Sequence, residues 1–186
     1  MNNFTLKETP IDGLFLIETR KFGDDRGFFM ETWNDSSFRD IGLDITFVQD
    51  NRSRSRKGTL RGLHFQRTRP QGKLVCVTRG EVFDAAVDLR RSSPTFGKWF
   101  GARLNGEEGV LFYISPGFAH GFYVTSETAD FTYKCTDFYT PSDEGGLLWN
   151  DPAVGIDWPA DNSSELIIAE KDKLYPTIEN CFAFDF

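Results

Sequence analysis

The sequence predicts an all-β fold, a jelly-roll sandwich or barrel with a few short peripheral helices. Three observations predict it. Short runs rich in β-branched and aromatic residues recur along the 186 residues, with turn residues between them. Text with helical periodicity is scarce. The chain also holds 19 Phe, 4 Trp and 5 Tyr, far more large apolar side chains than a disordered chain carries, so a packed core follows.

In chain order, strands are expected at residues 14–19 (LFLIET), 46–51 (TFVQDN), 59–65 (TLRGLHF), 74–78 (LVCVT) and 82–89 (VFDAAVDL). Further strands are expected at 98–104 (KWFGARL), 110–114 (VLFYI), 121–125 (GFYVT) and 130–137 (DFTYKCTD). Turn chemistry separates them at Arg79-Gly80, at NGEEG (105–109) and at SPGF (115–118). One short helix is expected to start near Asp35 or Ser36, both good caps, and another to follow Ser163 or Ser164. No repeat, low-complexity tract or linker interrupts the pattern, so residues 1–186 are expected to form one domain.

The opening MNNFTLKETPIDG lacks a basic patch followed by an apolar stretch, and runs such as VLFYI fall far short of the roughly 20 apolar residues that span a bilayer. A soluble, cytoplasmic protein without membrane contact is the expectation. Cys76, Cys135 and Cys181 are odd in number and widely spaced, which argues for isolated thiols rather than a disulfide framework or a zinc site.

The formal net charge of −7 hides an asymmetry. Residues 51–73 contain Arg52, Arg54, Arg56, Lys57, Arg61, Arg67, Arg69 and Lys73 with no Asp or Glu, a local charge of +8 in a chain whose remainder carries −15. A basic surface on an acidic protein suits a small anionic ligand, whereas nucleic acid usually demands a basic face overall, so no nucleic-acid partner is expected.

His64, one of two histidines, lies in GLHFQ, where strand alternation sets Gly62, His64 and Gln66 on one face and Leu63 and Phe65 on the other. With Leu63 and Phe65 packed outward against another layer, His64 faces the interior. Metal-binding jelly rolls of the cupin type carry a His-x-His pair, then a Glu, six residues and a Gly, and a further His after a Pro-Gly turn. Here the same frame reads His64-x-Gln66, Lys73, six residues and Gly80, then Pro116-Gly117-Phe118-Ala119-His120. An amide and an ammonium stand where two ligands belong, so a divalent ion would meet repulsion, and no metal is expected.

A lysine at that position can still do a metal's electrostatic work by stabilising a developing enolate oxygen. An imidazole beside it can remove a proton next to a ketone. Inverting that carbon requires an acid on the opposite face, and Tyr133, in DFTYKCTDFY, has a phenol that stays protonated until it is needed. A binding module that senses a phosphorylated ligand with the same basic pocket is the competing reading.

The chain resembles the dTDP-4-dehydrorhamnose 3,5-epimerase family of the dTDP-L-rhamnose pathway. The matching stretches are FGDDRGFFMETW (22–33), FVQDNRSRSRKGTLRGLHFQ (47–66), QGKLVCVTRGEVFDAAVDLRRSSPTFGKW (71–99), GFAHGF (117–122), YKCTDFY (133–139), LLWNDPAVGIDWP (147–159) and AEKD (169–172), in the family's order. The resemblance implies a cupin-type double-stranded β-helix, a homodimer and a reaction without cofactor. It further implies a dTDP-4-dehydro-6-deoxy-D-glucose substrate, inverted at C3 and C5 to dTDP-4-dehydro-L-rhamnose. A relative that inverts one carbon is the near alternative. By position the resemblance makes His64 the base, Asp172 its orienting carboxylate, Lys73 the holder of the C4 oxyanion and Tyr133 the acid. It places Arg26, Glu31, Gln49, Asp50, Asn51, Arg61, His120, Glu144 and Lys171 at positions that contact nucleotide or sugar. Of these, Arg26 and Glu31 would reach into the partner subunit's site. Phe138, with Tyr139 beside it, would stack on the thymine.

Overall fold

The apolar alternation of these strands is satisfied in the computed structural model, which describes residues 2–160 and 166–186, by two sheets that share one core. In chain order the strands are β1 (Phe4–Glu8), β2 (Leu14–Thr19), β3 (Phe22–Asp24), β4 (Gly27–Phe29), β5 (Gln49–Arg56), β6 (Thr59–Gln66) and β7 (Lys73–Arg79). They continue as β8 (Glu81–Asp88), β9 (Trp99–Asn105), β10 (Val110–Ile114), β11 (Phe118–Val124), β12 (Thr128–Cys135), β13 (Glu144–Gly146) and β14 (Ile167–Ile168). One sheet runs β1-β2-β10-β7-β12-β5; the other runs β13-β6-β11-β8-β9, with β14 pairing parallel to β6. This is the all-β, cupin-type jelly roll that the sequence predicts.

The core between the sheets takes Val75, Val77, Phe112 and Phe131 from the first sheet and Val82, Ala86, Leu104 and Phe122 from the second. Burying such side chains contributes about 1.5–3 kcal/mol each and fixes how far apart the sheets stand. A second cluster on the outer face of the first sheet packs Leu74, Cys76 and Leu111 under α1 (Asp35–Asp40) through Phe38. A third, on the outer face of the second sheet, holds Leu63 and Phe65 with Val87, Leu89 and Phe184. That outward packing of Leu63 and Phe65 turns His64 toward the interior, as alternation requires.

Three differences from the expected elements have physical reasons. The strand expected at 46–51 lies at Gln49–Arg56, because the run RSRSR alternates Arg outward with Ser inward rather than forming a solvated loop. The helix does begin at Asp35, yet its cap is Asn34, whose side chain accepts from the Ser37 amide at 3.1 Å. Strands β1, β3, β4, β13 and β14 escape the sequence reading because they are short or lie at the edge of their sheets. The helix expected after Ser163 or Ser164 starts outside the described residues. Cys76 and Cys135 are buried, Cys181 is half-buried and all three are free thiols.

Candidate functional site

The cleft opens between the sheets where β6 and β11 meet β7 and β12. His64 is the register partner of His120 on β11 and of Gly146 on β13. A Cβ on Gly62 would lie 2.5 Å from the Gly121 Cα, so glycine at both positions lets β6 and β11 approach beside the two histidines. From the opposite sheet, Lys73 at the start of β7 pairs with Cys135, and Tyr133 on β12 pairs with Val75 and Asn51. His64, Lys73, His120, Tyr133 and Asp172 line one cavity of about 570 Å³. A second, of about 360 Å³, shares His64, Lys73, Tyr133, Asn51 and Lys171 with it and adds Gln49, Tyr139 and Glu144, so the two form a single cleft.

His64 Nε2 lies 2.8 Å from Asp172 Oδ1, and the Gly62 amide donates to Asp172 Oδ2 at 3.3 Å. Asp172, 2% exposed, sits in a 3₁₀ turn over Glu170–Lys173. With Nε2–H donating to the carboxylate, the neutral imidazole carries its basic lone pair on Nδ1.

The Lys73 ammonium has no side-chain hydrogen bond or ion pair among the described residues. Burial pushes its ammonium below the ordinary lysine range, while the Cys135 thiol and the Asp84 and Glu144 carboxyls draw it the other way. An unneutralised cation in a cleft is ready to receive negative charge that develops on a bound molecule. Tyr133 is pushed up, first by burial, and stays a phenol at neutral pH.

His120 donates to or accepts from Asp84, with Nε2 at 2.8 and 3.0 Å from its two oxygens. Burial pushes Asp84 up and His120 down, each against the pull of the other, beside Phe131, which stacks on His120 at 6.2 Å.

Glu144 gathers three donors: Lys171, Tyr175 at 2.9 Å on Oε1, and Tyr139 at 2.9 Å on Oε2. Burial alone would raise its carboxyl, but these three bonds outweigh it and bring the group down to about 2. Gln49 accepts from the Tyr139 amide and donates to Asn51, both at 2.9 Å, which ties the cleft rim to β5. Arg61 lines the cleft and donates to Ser55 at 3.0 Å.

Other expected site residues lie elsewhere in this chain. Asp50 points to the outer face of its sheet, paired with Lys134 at 2.9 Å, and lines a separate cavity. Arg26 stands at the tip of the β3–β4 hairpin, 89% exposed at its side chain and paired with Asp24, and Glu31 accepts from Asn3 at 2.6 Å and Asn34 at 3.2 Å. Neither lines the cleft. Phe138 is exposed on the loop, and its neighbour Tyr139 is the aromatic that lines the cleft. Gln66, at the second position of the cupin frame, is buried and spans the loop instead: its amide donates to the Arg69 and Phe138 carbonyls, and its oxygen accepts from Thr140.

Sequence reasoning missed Asp84 and Tyr175. The signal for Asp84 was present, since it occupies an inward position of VFDAAVDL where a lone carboxylate needs a partner. Tyr175 lies beyond the matched AEKD motif in irregular text, with nothing to mark it. Among the described residues, no group of three His, Cys, Asp or Glu stands where it could hold a metal, and no helix is long and apolar enough to cross a membrane.

The profile of the family described as dTDP-4-dehydrorhamnose 3,5-epimerase matches residues 8–180. A protein of that description from Methanothermobacter thermautotrophicus is 51% identical over 181 residues, covering 97% of this chain and 98% of the relative. The crystal structure of dTDP-6-deoxy-D-glucose-3,5-epimerase from Legionella pneumophila Philadelphia 1, in complex with dTDP-4-keto-L-rhamnose, superposes with a TM-score of 0.94 at 45% identity and covers 98% of each chain. A 3'-monoepimerase from Streptomyces bikiniensis in complex with dTDP-quinovose matches with a TM-score of 0.85 at 32% identity, covering 92% of this chain and 86% of that one.

Proposed function

Because the chain belongs to the dTDP-4-dehydrorhamnose 3,5-epimerase family, we propose that it inverts C3 and C5 of dTDP-4-dehydro-6-deoxy-D-glucose with four side chains of this cleft. The observation that carries the reading is that His64 and Tyr133 line one cleft from opposite sheets, with Lys73 also lining it. His64 takes the proton from the carbon next to the C4 ketone, and Asp172 holds the imidazolium that forms. The electron pair moves onto the C4 oxygen as an enolate, where the Lys73 ammonium stabilises it. Tyr133 then gives its proton to the same carbon from the other face, the carbonyl re-forms, and the centre is inverted. Proton exchange with solvent restores both residues after each inversion, and repetition at the second carbon completes the double inversion. No cofactor enters this scheme.

Gln49, Asn51, Arg61, His120, Tyr139, Glu144 and Lys171 ring the cleft and are assigned to the nucleotide and sugar. Arg61 supplies the forked donor that a pyrophosphate favours. Phe138 or Tyr139 stacks on the thymine. Arg26 and Glu31, which stand away from their own cleft, support a homodimer in which they serve the partner's site. We read residues 1–186 as one epimerase domain, and the free thiols suit a reducing, cytoplasmic setting.

The deciding experiment is turnover in D₂O followed by NMR. Deuterium is expected at both C3 and C5; deuterium at C3 alone would place the chain with the single-carbon epimerases, the activity named for the Streptomyces bikiniensis relative. Tyr133→Phe should keep exchange at the first carbon while epimerisation falls about 10²-fold, the size of a lost general acid. An unimpaired Tyr133→Phe enzyme removes Tyr133 from the role.

A further inference from the structure

Tyr175 has no place in that scheme and does not line the catalytic cleft, yet it touches the base. Its ring meets the His64 imidazole edge to face, with centroids 5.8 Å apart and planes at 74°. On its other side the ring lies on the backbone of Gly146, the register partner of His64: a Cβ at 146 would stand 2.3 Å from a Tyr175 ring carbon. Its hydroxyl donates to Glu144 Oε1 at 2.9 Å, and the same carboxylate binds Lys171. Lys171 and Tyr175 flank Asp172 in sequence. One carboxylate at the start of β13 therefore fastens both ends of the short segment that carries Asp172, and the ring so fastened stands against the imidazole.

We propose that Tyr175 is a positioning residue, a tethered wall that keeps the His64 ring seated on Asp172 through each proton transfer. The inference rests on His64 being the base. Asp172 contacts the imidazole at one nitrogen, and a single hydrogen bond leaves the ring free to rock about it. A rigid neighbour across the ring face removes that freedom. A general base misplaced by a fraction of an ångström loses rate while substrate affinity, set by other groups, stays the same. The glycine at 146 is explained by the same arrangement, since any side chain there would displace the ring.

The test compares Tyr175→Leu, Tyr175→Phe and His64→Asn. Tyr175→Leu, which removes the wall, should lower kcat about tenfold with KM within twofold, and Tyr175→Phe, which keeps the ring and loses the tether, should lose only about threefold. The chain has two histidines, so their imidazole NMR signals are separable by the His64→Asn spectrum. The His64 Nε2–H signal should exchange with solvent faster in Tyr175→Leu than in the parent, with Tyr175→Phe between them. A folded Tyr175→Leu enzyme with parental kcat and signal overturns the proposal, and so does a raised KM at unchanged kcat, which would make the ring part of the binding wall. If Tyr175→Leu does not fold, Tyr175→Phe decides: parental kcat and exchange overturn the proposal. Turnover by His64→Asn would instead overturn the base assignment itself, whereas an inactive His64→Asn beside a fully active Tyr175→Leu overturns the wall alone.

Discussion

His64→Asn should abolish turnover, with kcat reduced by about 10³-fold or more, while the protein still binds dTDP. The size follows from removing a positioned general base, which is worth roughly 10²–10⁴ in rate. Retained binding follows from the site's construction, because Gln49, Tyr139 and Lys171 line the cleft without touching His64 through any hydrogen bond. Deuterium incorporation by NMR and calorimetric titration with dTDP check the two halves separately. Ordinary exchange in the variant would take the base role from His64. Parent protein that binds the sugar nucleotide and never exchanges its protons would identify a sensor in place of a catalyst.

Lys73→Met should lower kcat by about 10²–10³-fold, the cost of losing a preorganised charge at a developing oxyanion, and should make the fold more stable. The second half follows from the sign of the pKa displacement. Lys73 is held below its unfolded value by burial, so the unfolded chain binds its proton more tightly than the native one. The penalty is fully present at pH values below the native pKa and fades as pH rises from there to the ordinary lysine value near 10.4. At neutral pH a methionine of similar length removes it. The expected gain is about 1 kcal/mol, or about 2–4 °C in Tm, typical of relieving a site strained for function. Thermal unfolding at pH 7 and at pH 10.5 provides the check: the advantage of the variant should shrink at the higher pH, and a variant less stable than its parent at pH 7 refutes the account. For the parent enzyme the same displacement predicts that activity falls on the alkaline side before an ordinary lysine would titrate.

Much of this site was legible in the sequence because the strands that carry it are regular. Alternation in GLHFQ fixed which way His64 faces, and the outward cluster of Leu63 and Phe65 is the reason it holds. The cupin spacing from His64 through Lys73 to His120 is met by the His64–His120 register of β6 and β11 in one sheet and by Lys73 at the start of β7 in the facing one. What stayed hidden is what irregular chain supplies. Tyr175 reaches His64 only because a turn, a glycine and a carboxylate from distant stretches converge. Asp50 illustrates the opposite limit: it neighbours Asn51 in sequence, but a strand sends neighbours to opposite faces, and only Asn51 reaches the cleft. Arg26 and Glu31 show a third, since neither lines the cleft of its own chain and only the proposed homodimer gives them a place at a site.

His64 stands on one sheet and Tyr133 on the other, so the distance between the proposed base and acid is set by the side chains packed between the sheets, Phe112, Phe131 and Phe122 among them. In the proposed mechanism the spacing of the two reacting groups is thereby written into the thickness of the hydrophobic layer. A change deep in that layer, touching neither His64 nor Tyr133, is expected to shift how closely the two groups can approach a bound sugar, so that the rate depends on core packing as well as on the reacting groups.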